Sequence, residues 1–114
     1  MLYRRADFDD HAFKFYDKNK VNNFSWNGVT STSLIVSVTK KFQRDSSKTP
    51  ILIIIEIDFE DVQPENLNAL YLAPFSAFPK EEEVALSPGS IFQLLEMNKE
   101  KSEVEMRLKL VTNA

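Results

Sequence analysis

The chain has 114 residues, no cysteine, one histidine and a net charge of −3. That length predicts one domain, residues 1–114, with one modest core. The composition excludes disulfides, thiolate metal sites and a histidine-rich zinc site within the chain. The negative balance argues against a protein that grips nucleic acid through phosphates. Two glycines are too few for a glycine-rich phosphate loop. The longest apolar run, residues 51–55, is too short to cross a bilayer, so no membrane span is expected. Arg4, Arg5 and the aspartates at 7, 9 and 10 leave no apolar stretch for a secretory leader near Met1.

In chain order, MLYRR reads as a short strand. DFDDHAFKFYDKN reads as a helix with Asp7 or Asp9 as N-cap and Phe8, Ala12, Phe15 and Tyr16 near one face. NFSWNGVTSTS is rich in aromatic and β-branched residues and reads as one strand. In LIVSVTKKF, residues 34–42, Leu34, Val38 and Phe42 fall at helical spacing, so a short helix is expected there. QRDSSKTP is a polar loop closed by Pro50.

ILIIIEID is an unbroken β-branched run, which fits a strand buried on both faces. LNALYLAPF reads as a partial strand. EEVAL and SIFQLLEM read as two strands joined by the turn Ser87-Pro88-Gly89. EVEMRLKLV alternates, with Val104, Met106, Leu108 and Leu110 on one face. The total is six or seven strands with one or two short helices, an α+β domain dominated by sheet.

Three features stand out. Arg4 lies on the first strand, and a guanidinium fork suits a diphosphate. TSTS, residues 30–33, ends a strand with hydroxyls that can hold a carboxylate in one rotamer. Glu81, Glu82 and Glu83 stand in a row; strand alternation would send Glu81 and Glu83 to one side, a pairing suited to a cation or a proton. Each alone has an ordinary explanation: a surface arginine, threonine's β-propensity, a solvated charged turn.

Together and in order, LYR, GVTSTS and FSAFPKEEEVAL resemble the arginine–serine–glutamate signature of the mono-ADP-ribosyltransferases. That family includes vertebrate ecto-enzymes and bacterial binary toxins, and the likeness runs from about residue 2 to residue 110. The resemblance implies an ADP-ribosyltransferase-like fold, two packed and mainly antiparallel sheets around an NAD cleft. It implies a glycosyl-transfer enzyme that uses NAD as substrate, needs no metal, and moves ADP-ribose to a protein. Glu83 would be the catalytic acid that stabilises the ribose cation, with Ser31 orienting it. Arg4 would hold the NAD phosphates, with Arg5, Ser31, Ser33 and Arg44 as further cofactor-binding residues. Glu81, two residues before Glu83, would direct transfer to an arginine side chain. Phe75 and Phe78 would grip the protein substrate, with Thr32 structural.

Two departures stand beside the likeness. Arg5 occupies a position where many vertebrate members have glycine and some binary toxins have a second arginine, which leans towards a toxin-like subgroup. The helices that precede the arginine strand in the family have no counterpart here, so a truncated domain and a terminal first strand prone to fraying are expected. An NAD glycohydrolase using the same site, and a silent interaction module on the same fold, are the rival readings. Localisation stays open between a secreted effector and a cytoplasmic protein.

Overall fold

The computed structural model describes residues 1–18, 23–26, 28–37, 48–58, 69–72, 74, 79–100 and 103–113. The strands are β1 (Leu2–Phe8), β2 (Asn23–Phe24), β3 (Thr30–Ser33), β4 (Thr49–Glu56), β5 (Ala69–Tyr71), β6 (Glu83–Leu86), β7 (Ser90–Asn98) and β8 (Val104–Asn113). One α-helix, α1 (Asp10–Lys18), and a 3-10 turn, Pro79–Glu81, complete the described elements. The strands hydrogen-bond in the order β2-β7-β8-β4-β1-β3-β6-β5. Among the described strands only β4 and β8 run parallel, and the other pairings are antiparallel.

The ladder is continuous but uneven. β1 pairs with β4 from Leu2↔Ile55 to Phe8↔Thr49, whereas β1 and β3 share the single registered pair Tyr3↔Ser33. That narrow joint divides the sheet into a five-strand wing (β2, β7, β8, β4, β1) and a three-strand wing (β3, β6, β5). Val84 and Leu86 of the small wing join the same buried cluster as Ile51, Ile53, Ile55, Phe92, Met106 and Leu108 of the large one. The two expected sheets are thus wings sharing one core.

The β-branched run behaves as its composition dictates: Ile51 through Ile55 are all buried. Alternation in β8 is equally faithful, with Met106, Leu108 and Leu110 sealed in the core and Val104 packed at its margin. In α1, Asp9 is the cap, its Oδ1 accepting from the Ala12 amide at 2.8 Å. Ala12 and Tyr16 face the core while Phe15 stands half exposed. Tyr16 stacks on Phe8 at 5.2 Å between ring centroids and accepts from Trp26 Nε1 at 2.7 Å, closing one end of the core with an aromatic cluster.

Several expectations give way. The first strand is longer than MLYRR and is interior, not a fraying edge: it is seven residues long and ladders with β4 on one side and touches β3 on the other. NFSWNGVTSTS is two strands, because Gly28 takes the left-handed conformation (φ 77°) and lets the chain turn between them. β2 then lies beside β7 and β3 beside β6. The turn at Ser87-Pro88-Gly89 forms, with the Ser90 amide donating to the Ser87 carbonyl at 3.1 Å. It joins no hairpin, however: β6 goes to the small wing and β7 to the large one. Of the helix expected at 34–42, residues 36 and 37 are in 3-10 conformation and residues 38–42 lie outside the described residues.

Candidate active site

Arg4 and Arg5 are neighbours on a strand, so their side chains leave opposite faces. Arg4 sits opposite Ile53, on the side of the shared core, and Arg5 opposite Leu52. Arg4 is half-buried, and its Nη1 donates to the Ser31 carbonyl at 3.0 Å. It pairs with no carboxylate among the described residues. Burial pulls this guanidinium below its ordinary pKa. A desolvated cation that meets no acid among the described residues is a good host for an anion.

A cleft of about 280 Å³ opens where β1 and β3 part, lined by Tyr3, Arg4, Arg5, Ala6, Ser31 and Thr32. A smaller cavity of about 140 Å³ also borders Arg4, reaching Phe8, Trp26, Val29 and Thr30. Arg4 therefore stands between two adjoining hollows, one hydroxyl-lined and one aromatic.

The small wing brings in the acid. β3 and β6 pair in the register Ser31↔Ala85 and Ser33↔Glu83, so Ser31, Ser33 and Glu83 share a face. Ser31 Oγ donates to Glu83 Oε2 at 2.6 Å, a short charge-assisted bond that fixes the carboxylate's rotamer. Thr30 and Thr32 take the opposite, buried face, and Thr32 Oγ1 donates to the Val84 carbonyl at 2.7 Å. Ser33 is buried and committed to the scaffold: its hydroxyl donates to the Glu81 carbonyl at 2.6 Å and accepts from the Ile35 amide at 3.0 Å.

Strand alternation does not explain the acid triplet. Only Glu83 is in β6; Glu81 ends the 3-10 turn, and Glu82 between them has a left-handed backbone, φ 45°. The turn is held by three successive carbonyls. Glu81 O takes the Ser33 hydroxyl, Glu82 O the Leu34 amide at 3.1 Å, and Glu83 O the Leu72 amide at 2.8 Å. Glu82 also faces the half-exposed Tyr71, whose hydroxyl lies 3.4 Å from Glu82 Oε1. Partial desolvation and the Glu82 carboxylate raise the pKa of that phenol.

Of the residues singled out in the sequence, Arg4 and Ser31 line the β1–β3 cleft, and Glu83 is joined to them through its hydrogen bond from Ser31 Oγ. Arg5 lines that cleft, yet its guanidinium is engaged by Glu103 and the Val36 carbonyl. Arg44, Phe75 and Phe78 lie outside the described residues. Glu103, Tyr71 and the amides of Leu34 and Leu72 were not singled out; no motif marks them, because their roles come from long-range pairing.

No protein-family model and no curated protein matches the sequence. Solved structures do match over nearly the whole chain. The ADP-ribosyltransferase Vis in complex with agmatine, a toxin from Vibrio splendidus, aligns with a TM-score of 0.71 at 20% identity, covering 97% of this chain and 48% of its own. HopU1 of Pseudomonas syringae, another ADP-ribosyltransferase, aligns with a TM-score of 0.69 at 15% identity, covering 96% and 44%. An ADP-ribosyltransferase from Clostridium botulinum gives 0.66 at 15% identity, covering 96% and 58%. The fold is therefore ADP-ribosyltransferase-like, and the chain spans about half the length of these structures.

Proposed function

We propose that this chain carries the catalytic half-site of an NAD-dependent mono-ADP-ribosyltransferase that modifies arginine side chains of a protein. One observation carries the reading. Residues 52 positions apart form the Ser31–Glu83 hydrogen bond at 2.6 Å, and the Ser31 carbonyl accepts from Arg4, which meets no carboxylate among the described residues. A fixed carboxylate and a desolvated cation are the two charges that NAD cleavage calls for.

In the reaction, the bond between the nicotinamide nitrogen and ribose C1′ breaks heterolytically. Its electron pair leaves with nicotinamide, which becomes neutral, and positive charge develops on the ribose. Glu83 stabilises that charge. A carboxylate about 4 Å from a unit positive charge contributes about 4 kcal/mol at an effective dielectric near 20, equivalent to about three orders of magnitude in rate. The Ser31 bond matters because a preoriented carboxylate needs no reorganisation as charge appears. Arg4 would hold the diphosphate, its guanidinium fork matching phosphate oxygens.

Transfer is completed when an acceptor nitrogen attacks C1′ and loses a proton. Glu81 is the candidate acid for binding and deprotonating a guanidinium. Phe75, Phe78 and Arg44 are proposed as substrate and cofactor contacts on sequence grounds alone. Agmatine, an arginine mimic, is the molecule in complex with Vis, which supports an arginine acceptor.

The test is incubation with labelled NAD, with and without agmatine, beside Glu83→Gln. Label transferred to agmatine is the expected result. Free ADP-ribose alone would favour the glycohydrolase, and the absence of turnover the silent module.

A further inference from the structure

The Arg5 side chain is buried and charged, yet the chemistry just proposed gives it no part. Its Nε and Nη2 meet Glu103 Oε2 and Oε1 at 2.7 and 2.8 Å, a bidentate pair, and its Nη1 donates to the Val36 carbonyl at 3.0 Å. One guanidinium thus joins three separate stretches: β1, the turn that leaves β3, and the start of β8. It does so where backbone pairing is thinnest. β1 and β3 share one registered pair, and beyond it the strands part to form the cleft.

The turn that Arg5 holds leads directly to the acids. Leu34 donates to the Glu82 carbonyl, Ser33 donates to the Glu81 carbonyl, and Ile35 donates back to Ser33 Oγ. Loosening Val36 would free the exit of β3 to move away from β1. That motion changes the separation between Arg4, fixed on β1, and the Ser31–Glu83 pair on the small wing.

We infer that Arg5 and Glu103 form a clamp that sets the width of the β1–β3 cleft, making Arg5 a positioning residue for NAD binding. The inference rests on the proposed NAD chemistry. It goes beyond it in assigning cofactor affinity to a pair whose side chains need never touch NAD. Lysine cannot replace the arginine, since a point charge cannot serve a carboxylate fork and a carbonyl together.

The experiment compares wild type with Glu103→Gln and Arg5→Lys in three measurements: amide exchange, NAD binding by calorimetry, and steady-state nicotinamide release. Glu103→Gln keeps the side-chain shape, so it yields folded protein should Arg5→Lys fail to fold. The expected result is exchange at Leu34 and Ile35 about tenfold faster, with β7–β8 amides unchanged, the pattern of local rather than global opening. With it, KM and Kd for NAD rise about tenfold while kcat stays within about threefold, the signature of lost uniform binding. Unchanged exchange at Leu34 and Ile35, or unchanged NAD affinity in a wild type that binds NAD, overturns the clamp. A loss of kcat alone, with KM unchanged, also overturns it. A wild type that neither binds nor cleaves NAD overturns the parent reading, and with it any role for the clamp in affinity, whatever the exchange shows.

Discussion

The two wings of the sheet share a core but differ in the balance of forces that hold them. In the large wing, Ile51, Ile53, Ile55, Met106, Leu108 and Leu110 are sealed from solvent. Its stability comes from apolar burial, about 1.5–3 kcal/mol for each such side chain. In the small wing, β5 is exposed along its whole length and β3 reads Thr-Ser-Thr-Ser. There the ties are directional: Thr32 to the Val84 carbonyl, Ser33 to the Glu81 carbonyl, Ser31 to Glu83. Burial is non-directional and tolerates substitution by similar volumes. Hydrogen bonds fix individual atoms. A wing that must place a carboxylate to a fraction of an ångström is built from the second kind of contact, on a base supplied by the first.

The sharpest way to break this contrast is Glu83→Gln. The amide keeps the shape and can still accept from Ser31, so folding stability should stay within about 0.5 kcal/mol of wild type. Turnover should fall about a thousandfold, because the charge is gone while the geometry remains. Nicotinamide release and thermal unfolding, measured on the same preparation, decide it. Undiminished turnover would remove Glu83 from the mechanism.

The mirror-image experiment is Leu108→Ala in the large wing. Leu108 is fully buried in β8 and lines neither of the hollows beside Arg4. Truncation should cost about 2–5 kcal/mol in urea unfolding. At a temperature where the variant is folded, its kcat should remain close to wild type. An equal collapse of kcat in the folded variant would mean that the two wings are not separable in function.

The sequence made the large wing legible because its signals are local. The β-branched run of β4 and the alternation of β8 declare both strand and burial, as the exposures of Ile53 and Leu108 show. Neighbour choice was not local. Nothing in MLYRR states that its partner lies near residue 50, so β1 could not be read as an interior strand. Ser87-Pro88-Gly89 announces a turn but not that the strands on either side part company. The site was legible as residue types, through the likeness of Arg4, Ser31 and Glu83 to a known signature. Its geometry was only half legible. Treating Glu81–Glu83 as a strand missed the 3-10 turn and the left-handed Glu82. Arg5 shows the same limit: alternation puts it on the opposite face from Arg4, but Glu103, its partner 98 positions away, carries no signal.

Glu82 offers the finest test of how the small wing is held. A non-glycine residue at φ 45° bears a steric cost, about 1–2 kcal/mol for the left-handed conformation. The side chain returns little, since its contact with Tyr71 is long, at 3.4 Å, and exposed. What the position supplies is backbone: its carbonyl receives the Leu34 amide. Glu82→Gly keeps that carbonyl and removes the steric cost, at the expense of a more flexible unfolded chain. The net expectation is a gain of about 0.5–1 kcal/mol in urea unfolding, with turnover preserved. Glu82→Val should lose stability instead, because a β-branched residue tolerates a positive φ worst. The Tyr71 phenol gives a second readout. Its pKa is raised by desolvation and by the Glu82 carboxylate, so in both variants it should titrate at lower pH than in wild type. Equal losses of stability in the glycine and valine variants would show that the Glu82 side chain, not the backbone conformation, holds the turn between the two outer acids.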